Sequence, residues 1–154
     1  MTKAMRILLA TLGSAGLLGG AFAFQYIGGM APCHLCLLQR WPHGAAILVG
    51  VLAILTGWRF WPWLGALAAA TTSGIGIYHT GVERGWFTGP TSCTSQMATQ
   101  GLSSKDLLTQ IMAAPVVRCD QPAWVFLHLS MASWNAIFSA VLVLIWLSAA
   151  LRRD

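Results

Sequence analysis

The sequence carries very little charge. Only 8% of its 154 residues are Asp, Glu, Lys or Arg, whereas hydrophobic residues make up 56%. A soluble domain normally carries about 25% charged residues, so a water-soluble fold of this composition would lack the polar groups that cover a surface. The composition therefore predicts one domain, residues 1–154, whose main solvent is the lipid bilayer.

A concentrated basic segment is also missing. The formal net charge is +5, but the Lys and Arg residues form no run along the chain. Proteins that bind nucleic acid gather such residues on one face or in one segment. The charge distribution thus argues against nucleic acid as a partner.

Four long stretches contain at most one charged residue each, and each is long enough as a helix to cross the roughly 30 Å hydrocarbon core. Lipid offers the backbone no hydrogen-bonding partner, so we expect helices rather than open strands. Paired glycines, 16 with 20 and 74 with 76, predict close helix contacts. The predicted fold class is an all-α membrane protein, a bundle of four transmembrane helices at about 7–27, 37–56, 60–78 and 125–147.

The first stretch also fits a cleavable signal peptide, because Lys3 and Arg6 precede an apolar run that ends in Ala-Phe-Ala at 21–23. The apolar run is longer than the usual 7–15-residue core of such signals, so we expect the helix to be retained. Cleavage would leave three helices with the same orientation.

Charges in the short connections predict the orientation of the helices. The positive-inside rule assigns the most basic short segments to the cytoplasm. We therefore expect a multi-pass protein with both termini cytoplasmic and two outer loops, at about 28–36 and 79–124. The basic residues that set this orientation are Lys3, Arg6, Arg59, Arg152 and Arg153.

The four cysteines all fall on the predicted outer side. Cys33 and Cys36 lie in the first outer loop or at the start of the second helix, and Cys93 and Cys119 lie in the second outer loop. Disulfides persist on the oxidising side of a membrane. The cysteines thus support the same orientation independently of the charges.

Cys33 and Cys36 form a Cys-x-x-Cys motif, which can close as a small disulfide or open to a dithiol. A helix N-terminus favours a thiolate, and Arg40 lies four residues after Cys36 on the same helical face. A purely structural disulfide is an alternative, but so small a ring constrains little unfolded-chain entropy. A zinc site is another, but the other two cysteines lack the usual paired spacing. The motif predicts redox chemistry.

The second pair, Cys93 and Cys119, fits either a structural disulfide within the loop or an exchangeable disulfide. The nearby Cys-x-x-Cys motif favours exchange. Between these cysteines, residues 103–112 combine a serine N-cap with apolar residues at helical spacing. This pattern predicts a short amphipathic helix along the membrane surface.

Histidines offer one further candidate. His79 lies near the outer end of the third predicted helix, and an ionisable group there indicates either a functional site or a satisfied bundle residue. His43 and His128 are interpreted as ordinary interfacial residues, and packing accounts for Asn135. A haem carrier that uses the histidines as ligands is an alternative class of protein, as is a non-catalytic membrane scaffold.

Residues 31–40, APCHLCLLQR, closely resemble the PCxLCxxQR signature of the disulfide bond formation protein B family, DsbB. Residues 78–93 resemble that family's third helix and second loop, and residues 118–124 resemble the approach to its fourth helix. The resemblance implies a thiol:quinone oxidoreductase of the bacterial inner membrane. Such a protein reoxidises a periplasmic thioredoxin-like partner of the DsbA type and passes two electrons to ubiquinone or menaquinone.

The resemblance also implies a role for each matching residue. Cys93 forms the mixed disulfide with the partner, and Cys119 then exchanges with Cys33. Cys36 is left as a thiolate facing the quinone. The residues implied at the quinone are Arg40, which would orient and polarise it, and His79.

Overall fold

The structure, a computed structural model, describes residues 1–90 and 118–152. Cys93 and the amphipathic helix predicted at 103–112 lie outside the described residues. The elements within them are α1 (Lys3–Tyr26), α2 (His34–Thr56), α3 (Trp61–Glu83), β1 (Val125–Phe126), β2 (Leu129–Ser130) and α4 (Met131–Ala150).

The N-terminus of α2 is set by a cysteine. Cys33 is the N-cap residue, with extended backbone, and its Sγ accepts a hydrogen bond from the backbone N–H of Cys36 at 3.2 Å. The helix therefore begins at His34 rather than near residue 37, and Cys36 lies in its first turn. In the same way α3 continues past residue 78 to Glu83, so that His79 is a helical residue.

The last helix begins later than the predicted start near residue 125. Ser130 caps it by accepting a hydrogen bond from the backbone N–H of Ser133 at 3.2 Å. The preceding strands form an antiparallel hairpin, and its turn residues Leu127 and His128 have φ of 51° and 61°. Positive φ at both central residues matches the twist of a tight two-residue hairpin. Such a turn cannot continue as helix.

Helices α2 and α4 each pack against both α1 and α3. The core between them is built of small side chains around the fully buried Trp146. Two glycines allow the closest approaches, because a Cβ at Gly50 would lie 1.8 Å from Thr11 Oγ1 and one at Gly65 would lie 2.5 Å from the Trp146 ring. Small residues at such crossings are what lipid-embedded helices use to associate.

The glycines predicted to make close contacts behave differently from one another. A Cβ at Gly76 would approach Ala132 and Ala136 at 3.1 Å, as predicted. Among residues 1–90 and 118–152, nothing lies within 4 Å of such an atom at Gly16, Gly20 or Gly74, so the predicted helix contacts are wrong for these three.

The helices α1, α2 and α4 are long and apolar enough to cross a membrane. The remaining long helix, α3, is not among these spans, since its sequence includes threonine, serine, glycine and histidine. Most of these polar side chains point inward, with Thr72, Ser73 and His79 buried. A mostly helical fold with helices long and apolar enough to span a membrane is confirmed, while the count of four spans stays a prediction.

Candidate functional site

Three cysteines meet at the start of α2. The Sγ atoms of Cys33 and Cys36 are 2.8 Å apart. Cys119 is 2% exposed and shares one buried cluster with Cys33, Leu35 and Val82, against which Cys36 packs. The segment before the hairpin therefore brings a cysteine of the second predicted loop to the Cys-x-x-Cys motif.

His79 approaches this pair from α3. Its Nε2 lies 3.6 Å from Cys33 Sγ and 3.8 Å from Glu83 Oε1. Both the His79 and Glu83 side chains are almost fully buried. An imidazole in this position can donate a hydrogen bond to the sulfur of Cys33 when its Nε2 carries the hydrogen.

Gln39 fixes the tautomer of His79. The Gln39 Nε2 group donates to His79 Nδ1 at 2.9 Å and to the backbone carbonyl of Leu35 at 3.3 Å. A carbonyl only accepts, so the amide nitrogen of Gln39 must face this side. His79 Nδ1 is then an acceptor, and in the neutral imidazole the hydrogen lies on Nε2.

Asn135 of α4 continues the network. Its Nδ2 group donates to Gln39 Oε1 at 2.6 Å and to Thr72 Oγ1 at 3.2 Å. The Thr72 hydroxyl donates to the backbone oxygen of Gln39, which leaves its oxygen free to accept from Asn135. Asn135 Oδ1 thus points the other way and lies 2.9 Å from His43 Nε2.

One continuous series of these hydrogen bonds donates in a single direction, toward the cysteines. Hydrogen bonding to Cys36 and burial raise the pKa of the Cys33 thiol to about 12. Cys33 therefore keeps its proton and donates to Cys36, whose sulfur is the last acceptor. Aligned hydrogen bonds polarise one another in a low dielectric, so this arrangement favours negative charge on Cys36. In order, the network runs through His43, Asn135, Gln39, His79, Cys33 and Cys36.

A cavity of about 690 Å³ opens beside the network, between α1, α2, α4 and the hairpin. Cys36, Arg40 and His79 all border it. Gly16 and Gly20 border it from α1, which explains why these glycines contact none of the other described helices. The cavity thus combines a reactive sulfur, a cation and apolar walls.

Aromatic rings form one wall of the cavity. Neighbouring rings stand 5.5 to 6.3 Å apart between centroids, which is the range of favourable aromatic packing. Such a wall suits a flat, apolar ring. Its members, in order of contact, are Phe24, Trp124, Phe126, Trp134 and Phe138.

Arg40 is held by α1 on the opposite side. Its Nη1 donates to Gln25 Oε1 at 2.5 Å, and its guanidinium carbon lies 5.0 Å from the centre of the Phe22 ring. Its Nε is buried and has no hydrogen-bond partner among the described residues. Gln25 and Phe22 therefore hold the Arg40 guanidinium in place beside the cavity.

Comparison with known proteins decides the family. The model of the family "Disulfide bond formation protein DsbB" matches residues 3–149. The chain belongs to the DsbB family. Disulfide bond formation protein B of Marinobacter nauticus is 32% identical, over 94% of this chain and 90% of its own. That of Hahella chejuensis is 28% identical, over 94% and 92%.

An uncharacterized protein of Rickettsia prowazekii is also similar, at 27% identity over 92% of this chain and 84% of that one. No solved structure gives a significant match. Membership of the DsbB family makes this chain a disulfide-forming oxidoreductase and a multi-pass membrane protein.

Sequence reasoning missed part of the site of this DsbB protein. His43 and Asn135 are not ordinary interfacial or packing residues, because both belong to the buried network. One sequence signal for His43 exists: it lies seven residues after Cys36 and four after Gln39, on the same helical face. Asn135 offers only its polarity within an apolar helix, a weak sign of a functional residue.

Cys33, Cys36 and His79 also form a potential metal site in this DsbB protein. Their ligand atoms lie within 4.8 Å of one another. Sulfur and imidazole nitrogen are the donors that zinc prefers, usually as a set of four. Two sulfurs joined in a disulfide cannot serve as thiolate ligands, so metal binding and disulfide exchange here exclude each other.

Proposed function

We propose that this DsbB protein is a thiol:quinone oxidoreductase of the bacterial inner membrane. It reoxidises a periplasmic thioredoxin-like protein of the DsbA type and delivers two electrons to ubiquinone or menaquinone. One observation carries the proposal: Cys33 packs with Cys119 in a buried cluster, while Cys36 borders the apolar cavity. This arrangement suits a cysteine pair that exchanges disulfides with Cys119 on one side and passes electrons to a membrane-soluble acceptor on the other.

The thiol half of the reaction is a series of disulfide exchanges. A thiolate of the reduced partner attacks Cys93 of the Cys93–Cys119 disulfide and releases the Cys119 thiolate. Cys119 then attacks Cys33 of the Cys33–Cys36 disulfide and releases the Cys36 thiolate. The shared burial of Cys33 and Cys119 supports this second step.

The remaining exchanges restore the Cys93–Cys119 disulfide and leave Cys33 and Cys36 reduced. The second thiolate of the partner resolves its mixed disulfide and leaves oxidised, which frees the Cys93 thiolate. Cys93 attacks Cys119 in the Cys33–Cys119 disulfide and releases Cys33. The net result is an oxidised partner and a Cys33–Cys36 dithiol.

The residues around the cavity fit a quinone. The aromatic wall matches a flat ring, and the guanidinium of Arg40, a residue that borders the cavity, is a hydrogen-bond donor for a quinone oxygen. Cys33 and Cys36 pass two electrons and two protons to the quinone and re-form their disulfide, and hydroquinone leaves. His79 holds its Nε2 hydrogen on Cys33, and the network stabilises the Cys36 thiolate that faces the cavity.

We further propose four membrane spans, with both termini cytoplasmic and all cysteines periplasmic. Two features of α3 support the fourth span. Its polar side chains face inward, and Leu67 and Ile77 on its outer face are 64% and 62% exposed. An exposed apolar face around a polar interior is the pattern of a helix in a lipid-embedded bundle.

The experiment uses purified protein in detergent with a reduced DsbA-type partner and a short-chain ubiquinone. We expect loss of the quinone absorbance band in step with oxidation of the partner. If the partner forms no mixed disulfide and quinone stays oxidised, the cysteines are structural and the protein is a membrane scaffold.

A further inference from the structure

His43 has a nitrogen that none of the described residues satisfies. The side chain is 3% exposed and borders the cavity. Its Nε2 bonds to Asn135, but its Nδ1 is buried without a hydrogen-bond partner within residues 1–90 and 118–152. Buried polar atoms are nearly always paired, so an unpaired nitrogen beside a cavity indicates contact with a ligand.

The network determines the chemical character of that nitrogen. Asn135 uses its Nδ2 group on Gln39 and Thr72, so its Oδ1 must accept from His43 Nε2–H. A neutral imidazole carries one hydrogen. His43 Nδ1 therefore presents a lone pair, and it accepts hydrogen bonds but does not donate them.

Arg40 supplies the complementary group. Its buried Nε only donates, and it also lacks a partner in the described part of the chain. His43 comes three positions after Arg40, a rise of about 4.5 Å along the helix axis. Two neighbouring residues that border the cavity thus each hold a nitrogen that is unpaired among the described residues, a donor on Arg40 and an acceptor on His43.

The oxidised and reduced forms of a quinone differ in the hydrogen bonds that they can make with Arg40 and His43. The carbonyl oxygens of the oxidised form only accept, so they satisfy Arg40 but oppose the lone pair of His43. The hydroxyls of the reduced form donate as well as accept, so they satisfy both residues. The acceptor at His43 thus discriminates between the two forms.

We propose that His43 Nδ1 accepts a hydrogen bond from a hydroquinone hydroxyl, and that the cavity consequently binds hydroquinone more tightly than quinone. This inference rests on the proposed function, because it gives the cavity a quinone as its occupant. His43 is a positioning residue that makes electron transfer out of the cysteines more favourable, and Asn135 keeps it in the required tautomer.

The test compares two variants that each keep one half of the imidazole. His43→Gln places an amide near the position of Nε2 and preserves the bond to Asn135, but it removes the acceptor at Nδ1. His43→Asn places an amide oxygen near Nδ1 and gives up the bond to Asn135. Binding of a short-chain ubiquinone and of its hydroquinone is measured without oxygen, by quenching of the fluorescence of Trp124 and Trp134, which border the cavity.

We expect wild type to favour hydroquinone roughly three- to tenfold, the contribution of one hydrogen bond. His43→Gln should lose this preference with quinone binding unchanged, and His43→Asn should retain part of it. Equal affinities of wild type for quinone and hydroquinone would assign His43 a packing role and overturn the inference. Loss of both affinities in His43→Asn alone would do the same.

The outcomes also separate this inference from the proposed function. Wild type that oxidises its partner with quinone but does not prefer hydroquinone overturns this inference alone. Wild type that binds neither form overturns the proposed function as well.

Discussion

Cys33 and His79 are 46 residues apart in the chain, yet Cys33 Sγ and His79 Nε2 lie 3.6 Å apart in a buried site. The contact joins the start of α2 to the last turns of α3. It connects a cysteine that exchanges disulfides in the proposed reaction to a network that reaches α4. Its consequences are testable one residue at a time.

Two substitutions of His79 distinguish its contact with Cys33 from its hydrogen bond with Gln39. His79→Leu removes both, whereas His79→Gln keeps an amide hydrogen near Nε2 that can still donate to Cys33. We expect the rate of quinone reduction to fall about tenfold in the Leu variant, the equivalent of one hydrogen bond near a charged group, and clearly less in the Gln variant. Equal rates in the two variants would show that donation to Cys33 does not matter.

The cluster of Cys33 and Cys119 predicts a trapped disulfide. In a Cys36→Ser, Cys93→Ser double variant, Cys33 and Cys119 are the remaining cysteines, and both are buried together. Mild oxidation should join them within one molecule, and digestion followed by mass spectrometry identifies the linked peptides. Disulfides only between molecules would contradict the arrangement. A Cys33→Ser, Cys93→Ser variant, which leaves Cys36 with Cys119, is the matched comparison.

The raised pKa of Cys33 predicts the pH dependence of its alkylation. Only the thiolate reacts, and a pKa moved from 9.0 to about 12 leaves Cys33 protonated throughout the neutral range. In the fully reduced protein, alkylation of Cys33 should keep rising about tenfold per pH unit between pH 7 and pH 10. A plateau near pH 9, measured by peptide mass spectrometry, would mean that its pKa is not raised. In Cys36→Ala, which removes the largest cause of the shift, the rise should level off earlier.

Asn135 should be important for stability. Asn135→Ala leaves Gln39 Oε1 and His43 Nε2 without their partner, and each unsatisfied buried group costs about 1–3 kcal/mol. Ser139→Ala is the control, because Ser139 is on the same helix, fully buried, and its Oγ has no partner among the described residues. Thermal unfolding in detergent should occur at a lower temperature for Asn135→Ala and be unchanged or raised for Ser139→Ala. Equal transitions would indicate that the network contributes no stability.

The sequence predicted long apolar helices well, because the absence of charge over some twenty residues admits few other structures in lipid. Helix ends were predicted less well. Cys33 and Ser130 act as N-caps through their side chains, and the hairpin before α4 depends on positive φ at Leu127 and His128. A hydropathy pattern does not register either feature.

The candidate site shows the same division. The spacing of Cys33, Cys36 and Arg40 is local, so the motif could be recognised within a few residues of sequence. The network depends on Asn135 meeting Gln39 across 96 residues of chain. Such a contact is set by how α2, α3 and α4 pack, and nothing local in the sequence indicates which polar residues will meet.

In the proposed reaction, electrons leave the protein through Cys36. The most direct measurement is quinone reduction driven by a reduced DsbA-type partner, in wild type and in Cys36→Ser, together with trapping of the partner on Cys93. We expect the Ser variant still to form the mixed disulfide with the partner but to produce no hydroquinone. Hydroquinone production at the wild-type rate in that variant would show that electrons leave the protein by a route other than Cys36.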